Sequence, residues 1–335
     1  MPREVAFKDL TERKSLSLVR FSDRYQAEWD KFVWKSNNGT LFHTRRFLNY
    51  HPKERFTDAS LIFLDESRWL GILPFVERRE QGERVWISHP GASMGGLVCP
   101  SSLSFKYTFS VVEALLLRAH AEGVGKIYIT LPPQVYFARP CNYFDFALLE
   151  NGFTYLKREV SSVVPLDFDR ENTLQVFSPE SRRAVRRAQK LGVQVRESED
   201  FAAFYAILQA NLNMRHNVQP THSLDELLLL KRTFPDKVRL FAAFAGTEMV
   251  AGLVFFACND RVVLAFYISH REDKQKYRGV NLLFHDSFRW AIQEGFKFLD
   301  FGIFTVWMKP NWGLARFKES FGALGIFRDT LVKSV

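Results

Sequence analysis

The chain has 335 residues, 47% of them hydrophobic and 25% charged, with a formal net charge of +9. That length predicts two domains with a core each, and the composition excludes global disorder. Three scattered cysteines, Cys99, Cys141 and Cys258, exclude a disulfide framework and a cysteine-rich zinc site.

The N-terminal stretch MPREVAFKDLTERKS is charged throughout and has no secretory apolar segment. No later apolar run approaches the roughly 20 residues that cross a bilayer. A cytoplasmic protein without an integral membrane segment is therefore expected. The first strand-like runs form LIFLDESRWLGILPFV, which contains Gly71, followed by ERVWISH, which ends in Ser88 and His89. Gly91-Ala92-Ser93-Met94-Gly95 then fits the G-x-S-x-G nucleophile elbow, but no helical pattern follows it, so a glycine-rich loop is expected instead. An amphipathic helix, SVVEALLLRAHAEG, closes on Gly123, and the strand KIYITL completes the unit.

The same unit recurs. VRLFAAFAGTEMVAGLVFFA carries Gly252 in place of Gly71, and RVVLAFYISH carries Ser269 and His270 in place of Ser88 and His89. LLFHDSFRWAIQEG repeats the helix and its closing glycine, Gly295, before the strand FKFLDFG. Strands that pair before a crossover helix give a mixed sheet flanked by helices. The expectation is a duplicated α/β fold, residues 1–165 forming one unit and 166–335 the other. The histidines show no metal-ligand spacing, and no metal site is expected.

Positive charge clusters once. Ser178-Pro179-Glu180 starts a helix, with a serine cap and proline at the first position. SRRAVRRAQKLG follows, placing Arg182, Arg186 and Lys190 on one stripe and Arg183 and Arg187 on the next. A solvated basic face is the simplest reading. The predominance of arginine also suits bidentate phosphate contacts, which makes Arg183, Arg186 and Arg187 candidates for binding a phosphorylated substrate or a nucleic acid backbone.

The C-terminal region reads GIFTVWMKPNWGLARFKESFGA, with Phe317 and Phe321 one helical turn apart around Lys318. The duplicated unit, the basic helix Ser181 to Val193, the strand end Leu299-Asp300-Phe301-Gly302 and G-L-x-x-F-K-x-x-F-G together resemble the Fem family. Its members are tandem GNAT-fold proteins, built on the acyl-CoA N-acyltransferase fold. They transfer amino acids from aminoacyl-tRNA to the peptide stem of a peptidoglycan precursor. The resemblance implies Lys318 and Phe317 at the transfer centre, Arg215 on precursor phosphate and Tyr267 on the strand facing substrate. The long coiled-coil arm of some members is missing. The segment Lys276 to Leu282, which includes Asn281 as a candidate substrate-binding residue, keeps only the first glycine of the usual CoA loop. That departure argues against standard CoA binding.

The expected function is acyl transfer from aminoacyl-tRNA to an amine of a cell-wall precursor or similar phosphorylated acceptor. Lys318 would stabilise the developing oxyanion, and no metal or redox cofactor is implied. The enzyme alternative is a CoA- or carrier-protein-dependent N-acyltransferase acting on a sugar or amino acid. The non-enzyme alternative is an RNA- or precursor-binding protein that has lost transfer.

Overall fold

The computed structural model describes residues 16–216 and 219–335, without the side chains of Lys53, Met214, Arg215 and His216. The first half opens with β1 (Leu16–Arg20), α1 (Gln26–Lys35) and the single turn α2 (Arg45–Leu48). It continues with β2 (Thr57–Asp58), β3 (Leu61–Asp65), β4 (Arg68–Leu73), β5 (Phe75–Glu80) and β6 (Glu83–Ser88). Helix α3 (Phe105–Ala121) crosses to β7 (Val124–Thr130), and α4 (Tyr143–Glu150) leads into β8 (Thr154–Pro165). The second half runs α5 (Pro179–Lys190), β9 (Gln194–Ser198), α6 (Phe201–His216) and α7 (Leu224–Thr233), then β10 (Val238–Ala245), β11 (Glu248–Ala257) and β12 (Val262–His270). Helix α8 (Gly279–Gln293) crosses to β13 (Phe298–Ile303); the hairpin β14 (Thr305–Val306) and β15 (Lys309–Pro310), α9 (Trp312–Glu319) and β16 (Leu324–Ser334) finish the chain.

The repeat is visible in space. Strands β6 and β7 run parallel on either side of α3, as β12 and β13 do on either side of α8. Both crossover helices end on a glycine in the left-handed region, Gly123 at φ 66° and Gly295 at φ 84°, which releases the chain into the next strand. Gly71 and Gly252 occupy equivalent strands, β4 and β11, for a different reason. A Cβ on Gly252 would stand 2.2 Å from the Phe204 ring of α6, and one on Gly71 would stand 2.7 Å from Leu97. Each glycine lets a covering segment lie directly on the sheet.

The second pair of markers matches less closely. Ser269 faces Gly252 across β12 and β11, whereas Ser88 faces Phe75. Pro74 is the cause: it has no N–H to donate, and it divides into β4 and β5 what is one strand, β11, in the second half. Strand β4 pairs with β3, while β5 pairs with β6.

The main sheet runs across the expected boundary at residue 165. The main sheet has 11 strands in the order β2-β5-β6-β7-β16-β8-β13-β12-β11-β10-β9. The last strand, β16, lies between β7 and β8 of the first half, and β8 pairs on its other side with β13. A shared core reinforces this joint: Leu41, Phe42, Phe47 and Tyr136 of the first half pack with Phe204, Leu227, Leu240 and Phe256 of the second.

Candidate active site

Only three residue pairs join β12 to β13, Val262 with Phe298, Val263 with Leu299 and Leu264 with Asp300. Beyond them the strands part, and a cavity of about 1140 Å³ occupies the splay. The first half has the same parallel pair but seals it. Thr130 N–H donates to Ser88 Oγ at 2.7 Å, and Gly95 N–H donates to the Thr130 carbonyl at 2.9 Å. The G-x-S-x-G segment is thus a loop that caps a strand end, and no helix starts between Ser93 and Phe105. Duplication has left one splay open and one closed.

Lys318 reaches this cavity from α9. Asn311 caps that helix by accepting from Leu314 N–H, and Phe321 sits fully buried below it among Phe177, Phe284 and Phe301. Lys318 itself is 2% exposed, yet it lines the cavity beside Phe317. Its ammonium donates to the carbonyls of Gly302 at 2.7 Å and Ile303 at 2.8 Å, both at the end of β13. Burial pulls its pKa down to about 8, against the opposing pull of the Asp300 carboxylate.

Asp300 is itself buried and fully engaged. It accepts from Ser161 Oγ at 2.7 Å, from Gly302 N–H at 2.6 Å and from Tyr136 Oη at 2.8 Å. Tyr136 belongs to the first half, so both units hold the Asp300 carboxylate.

Tyr267 lines the cavity from β12. Its hydroxyl accepts from His222 N–H at 3.0 Å and bonds the His222 ring Nδ1 at 2.9 Å. Burial pushes the phenol up to about 12, so it stays neutral and acts as a fixed polar wall. Asn281 lines the cavity from the first turn of α8 and donates to Ser181 Oγ, 3.4 Å away at the start of α5. Lys274, Arg278 and His270 also line it, with Lys274 paired to Glu248 at 2.7 Å and His270 3.8 Å from Glu272.

Of the residues singled out in the sequence, Lys318, Phe317, Tyr267 and Asn281 therefore meet around one cavity. Arg183, Arg186 and Arg187 do not join them: they stand exposed on the outer face of α5 while Val185 and Ala188 pack inward. The side chain of Arg215 lies outside the described residues. Asp300 and Tyr136 were missed as site residues. Asp300 stands in the Leu299 to Gly302 motif, but nothing local marks Tyr136, whose partner is 164 positions away. No group of three or more His, Cys, Asp or Glu suited to a metal occurs among the described residues.

Residues 178–319 match the family model described as an acetyltransferase (GNAT) domain. The second half has a GNAT-like fold. The whole chain resembles the crystal structure of FemX with a TM-score of 0.74 and 12% identity, over 95% of this chain and 97% of that one. It also resembles a tandem GNAT protein from the clavulanic acid biosynthesis pathway, with a TM-score of 0.52 and 10% identity over 95% and 98% of the two chains. A third similar structure is the C-terminal domain of a putative lysylphosphatidylglycerol synthetase from Agrobacterium fabrum, with a TM-score of 0.59 and 11% identity over 93% and 92%. No curated protein matches the chain by sequence. The chain thus has the tandem GNAT fold that it shares with FemX.

Proposed function

We propose that the protein is an acyltransferase working in the open splay of its GNAT domain, with aminoacyl-tRNA as donor and a phosphorylated amine acceptor of the cell-wall-precursor type. The observation that carries this reading is the placement of Lys318, buried at the wall of the cavity with its ammonium fixed by two carbonyls. The acceptor amine attacks the ester carbonyl, a C–N bond forms and the C–O bond to the tRNA ribose breaks. The proton released by the amine ends on the ribose hydroxyl. An ester donor is already activated, so orientation in the cavity supplies much of the acceleration.

Two observations favour a donor longer than the cavity. Helix α5 starts one hydrogen bond from the lining, through Ser181 and Asn281, and its exposed arginines continue the positive surface outward. A polynucleotide with its acylated end in the splay would reach them; a small acyl donor would not. The CoA-dependent alternative draws support from the start of α8. Gly279 lines the cavity with its Cα packed against Val250, Ala243 and Ala251, where an added Cβ would stand 3.2 Å from each. A helix start in such a place suits a pyrophosphate.

Labelled aminoacyl-tRNAs and acyl-CoAs offered in parallel to the purified protein decide the donor. Transfer from tRNA alone is expected; transfer from acyl-CoA alone would overturn the favoured donor, and inertness toward both would leave a binding protein. In the same assay Arg183→Ala with Arg187→Ala should raise KM for tRNA, with a flatter salt dependence than wild type, because fewer counterions are released on binding. Stability should move by no more than about 0.5 kcal/mol, since both side chains are exposed. An unchanged KM at every ionic strength would make these arginines an ordinary solvated face.

A further inference from the structure

The hairpin between β13 and α9 is built unlike an ordinary surface turn. Thr305 pairs with Pro310 and Val306 with Lys309, which leaves Trp307 and Met308 as a two-residue loop. Both have positive φ, 50° and 60°. A turn of this type normally takes Asn-Gly or Asp-Gly, because a side chain strains the left-handed region. Here a tryptophan and a methionine hold it, and they point away from the protein: Val306 is 67% exposed, Trp307 61%, Met308 59% and the nearby Trp312 71%. All eight residues from Val306 to Gly313 are exposed.

The base of the hairpin is rigid. Thr305 Oγ1 donates to the buried Glu159 carboxylate and accepts from Val160 N–H at 2.9 Å, while Met308 N–H donates to Glu159 at 3.4 Å. Phe304 and Asn311 bond across the neck. The fold thus fixes an apolar tip in water. Its charges are cationic: Lys309 lies within the hairpin, and Lys157 Nζ stands 4.7 Å from the centre of the Trp307 ring. Glu159, the carboxylate at the neck, is 3% exposed and faces inward.

We propose that this hairpin seats the protein reversibly on an anionic lipid bilayer, Trp307 and Met308 entering the interface and Lys157 and Lys309 meeting the headgroups. Tryptophan flanked by lysine is the pairing that a membrane–water interface favours, an amphipathic ring at headgroup level with ammonium groups on anionic lipid. A convex two-residue tip is also too small for a stable protein interface, which buries at least about 1,000 Å². Insertion into an interface needs no such area. Among the described residues no helix is long and apolar enough to cross a membrane, so the contact is peripheral. Asn311, Gly313 and Leu314 continue from the hairpin into the cavity wall, so a seated tip brings the mouth of the cavity to the bilayer surface. This inference stands whether or not the protein transfers acyl groups.

The test is co-sedimentation of the full-length protein with vesicles of phosphatidylcholine, with and without a minority of phosphatidylglycerol. Binding to the anionic vesicles is expected, with a blue shift of tryptophan emission. Trp307→Ser should weaken it by roughly tenfold or more, and Lys157→Glu with Lys309→Glu should abolish the preference for anionic lipid. Met308→Gly relaxes the turn while keeping Trp307, so it should raise Tm and still weaken binding; that combination separates insertion from folding damage. The proposal is overturned by failure to bind either vesicle, or by equal binding of Trp307→Ser. A concentration-dependent dimer in solution that Trp307→Ser dissolves would also overturn it, because the tip would then be a protein contact.

Discussion

Lys318→Met should yield a folded protein whose KM for the donor is nearly unchanged and whose kcat falls on the order of a hundred- to a thousandfold, the loss seen when one oxyanion donor is removed. An ammonium has three N–H groups, and two of those on Lys318 are spent on the carbonyls of Gly302 and Ile303. The geometry leaves the third for the cavity, where the carbonyl oxygen of a bound donor gains charge as the amine attacks. Methionine keeps most of the apolar stem and removes the charge. Arginine should rescue poorly, because its planar fork cannot bond the same two carbonyls and still aim a donor into the cavity. Since burial lowers the lysine to about 8, the protonated, active form is lost as pH rises through that value. Turnover should therefore fall on the alkaline side of about 8, and Lys318→Met should lack that limb. A limb rising through the same pH would mean that the neutral amine acts as a base. Wild-type turnover by the methionine variant would mean that Lys318 only braces β13.

The duplication was legible because three markers repeat in one order, and two of them have physical roles that a sequence can carry: a glycine where a segment lies on the sheet, and a glycine that ends a helix. The exchange of β16 into the first half was not legible. An alternating strand at the C-terminus reads the same whichever edge it joins, and its partners at 126–130 and 154–163 are set by the whole fold. For the site, the motif around Lys318 located the catalytic candidate, but its burial was not expected. A lysine between two phenylalanines reads as an exposed charge, and only the carbonyls at the end of β13 make burial tolerable. The arginines of α5 dominate the sequence by their density, yet they lie on the surface, because Val185 and Ala188 claim the inward face. Trp307 and Trp312 look like core residues by composition. Nothing in the order of residues shows that a tight turn lifts them into solvent.

Stability should fall in mild acid, beginning at about pH 6.5, above the pH at which most carboxylates protonate. His43, His89 and His222 are buried, and desolvation lowers their pKa values to about 4, about 3 and about 4. His43 and His89 are neutral in the folded protein for a stereochemical reason as well. His43 Nδ1 accepts from Thr40 N–H at 3.1 Å, His89 Nδ1 accepts from Gly91 N–H at 3.2 Å, and His222 Nδ1 bonds the Tyr267 hydroxyl at 2.9 Å. A proton on the Nδ1 of His43 or His89 would face an N–H donor. In the unfolded chain all three titrate near the ordinary 6.5, so below that pH the unfolded state binds more protons than the native one. Their contribution is complete above about pH 6.5 and is lost as pH falls toward 4. Each histidine loses at most about 1.4 kcal/mol per pH unit, hence about 3 kcal/mol over that window. Three together approach the whole stability of an ordinary domain. Asp30 and Asp145, whose pKa values burial raises, act in the opposite sense and offset part of the loss. Urea unfolding between pH 7.5 and 4 should therefore show the midpoint falling from about 6.5 downward, and His89→Gln should flatten the slope by about one proton. Stability that stayed level from pH 7 to 4.5 would mean that these rings open to water before they charge.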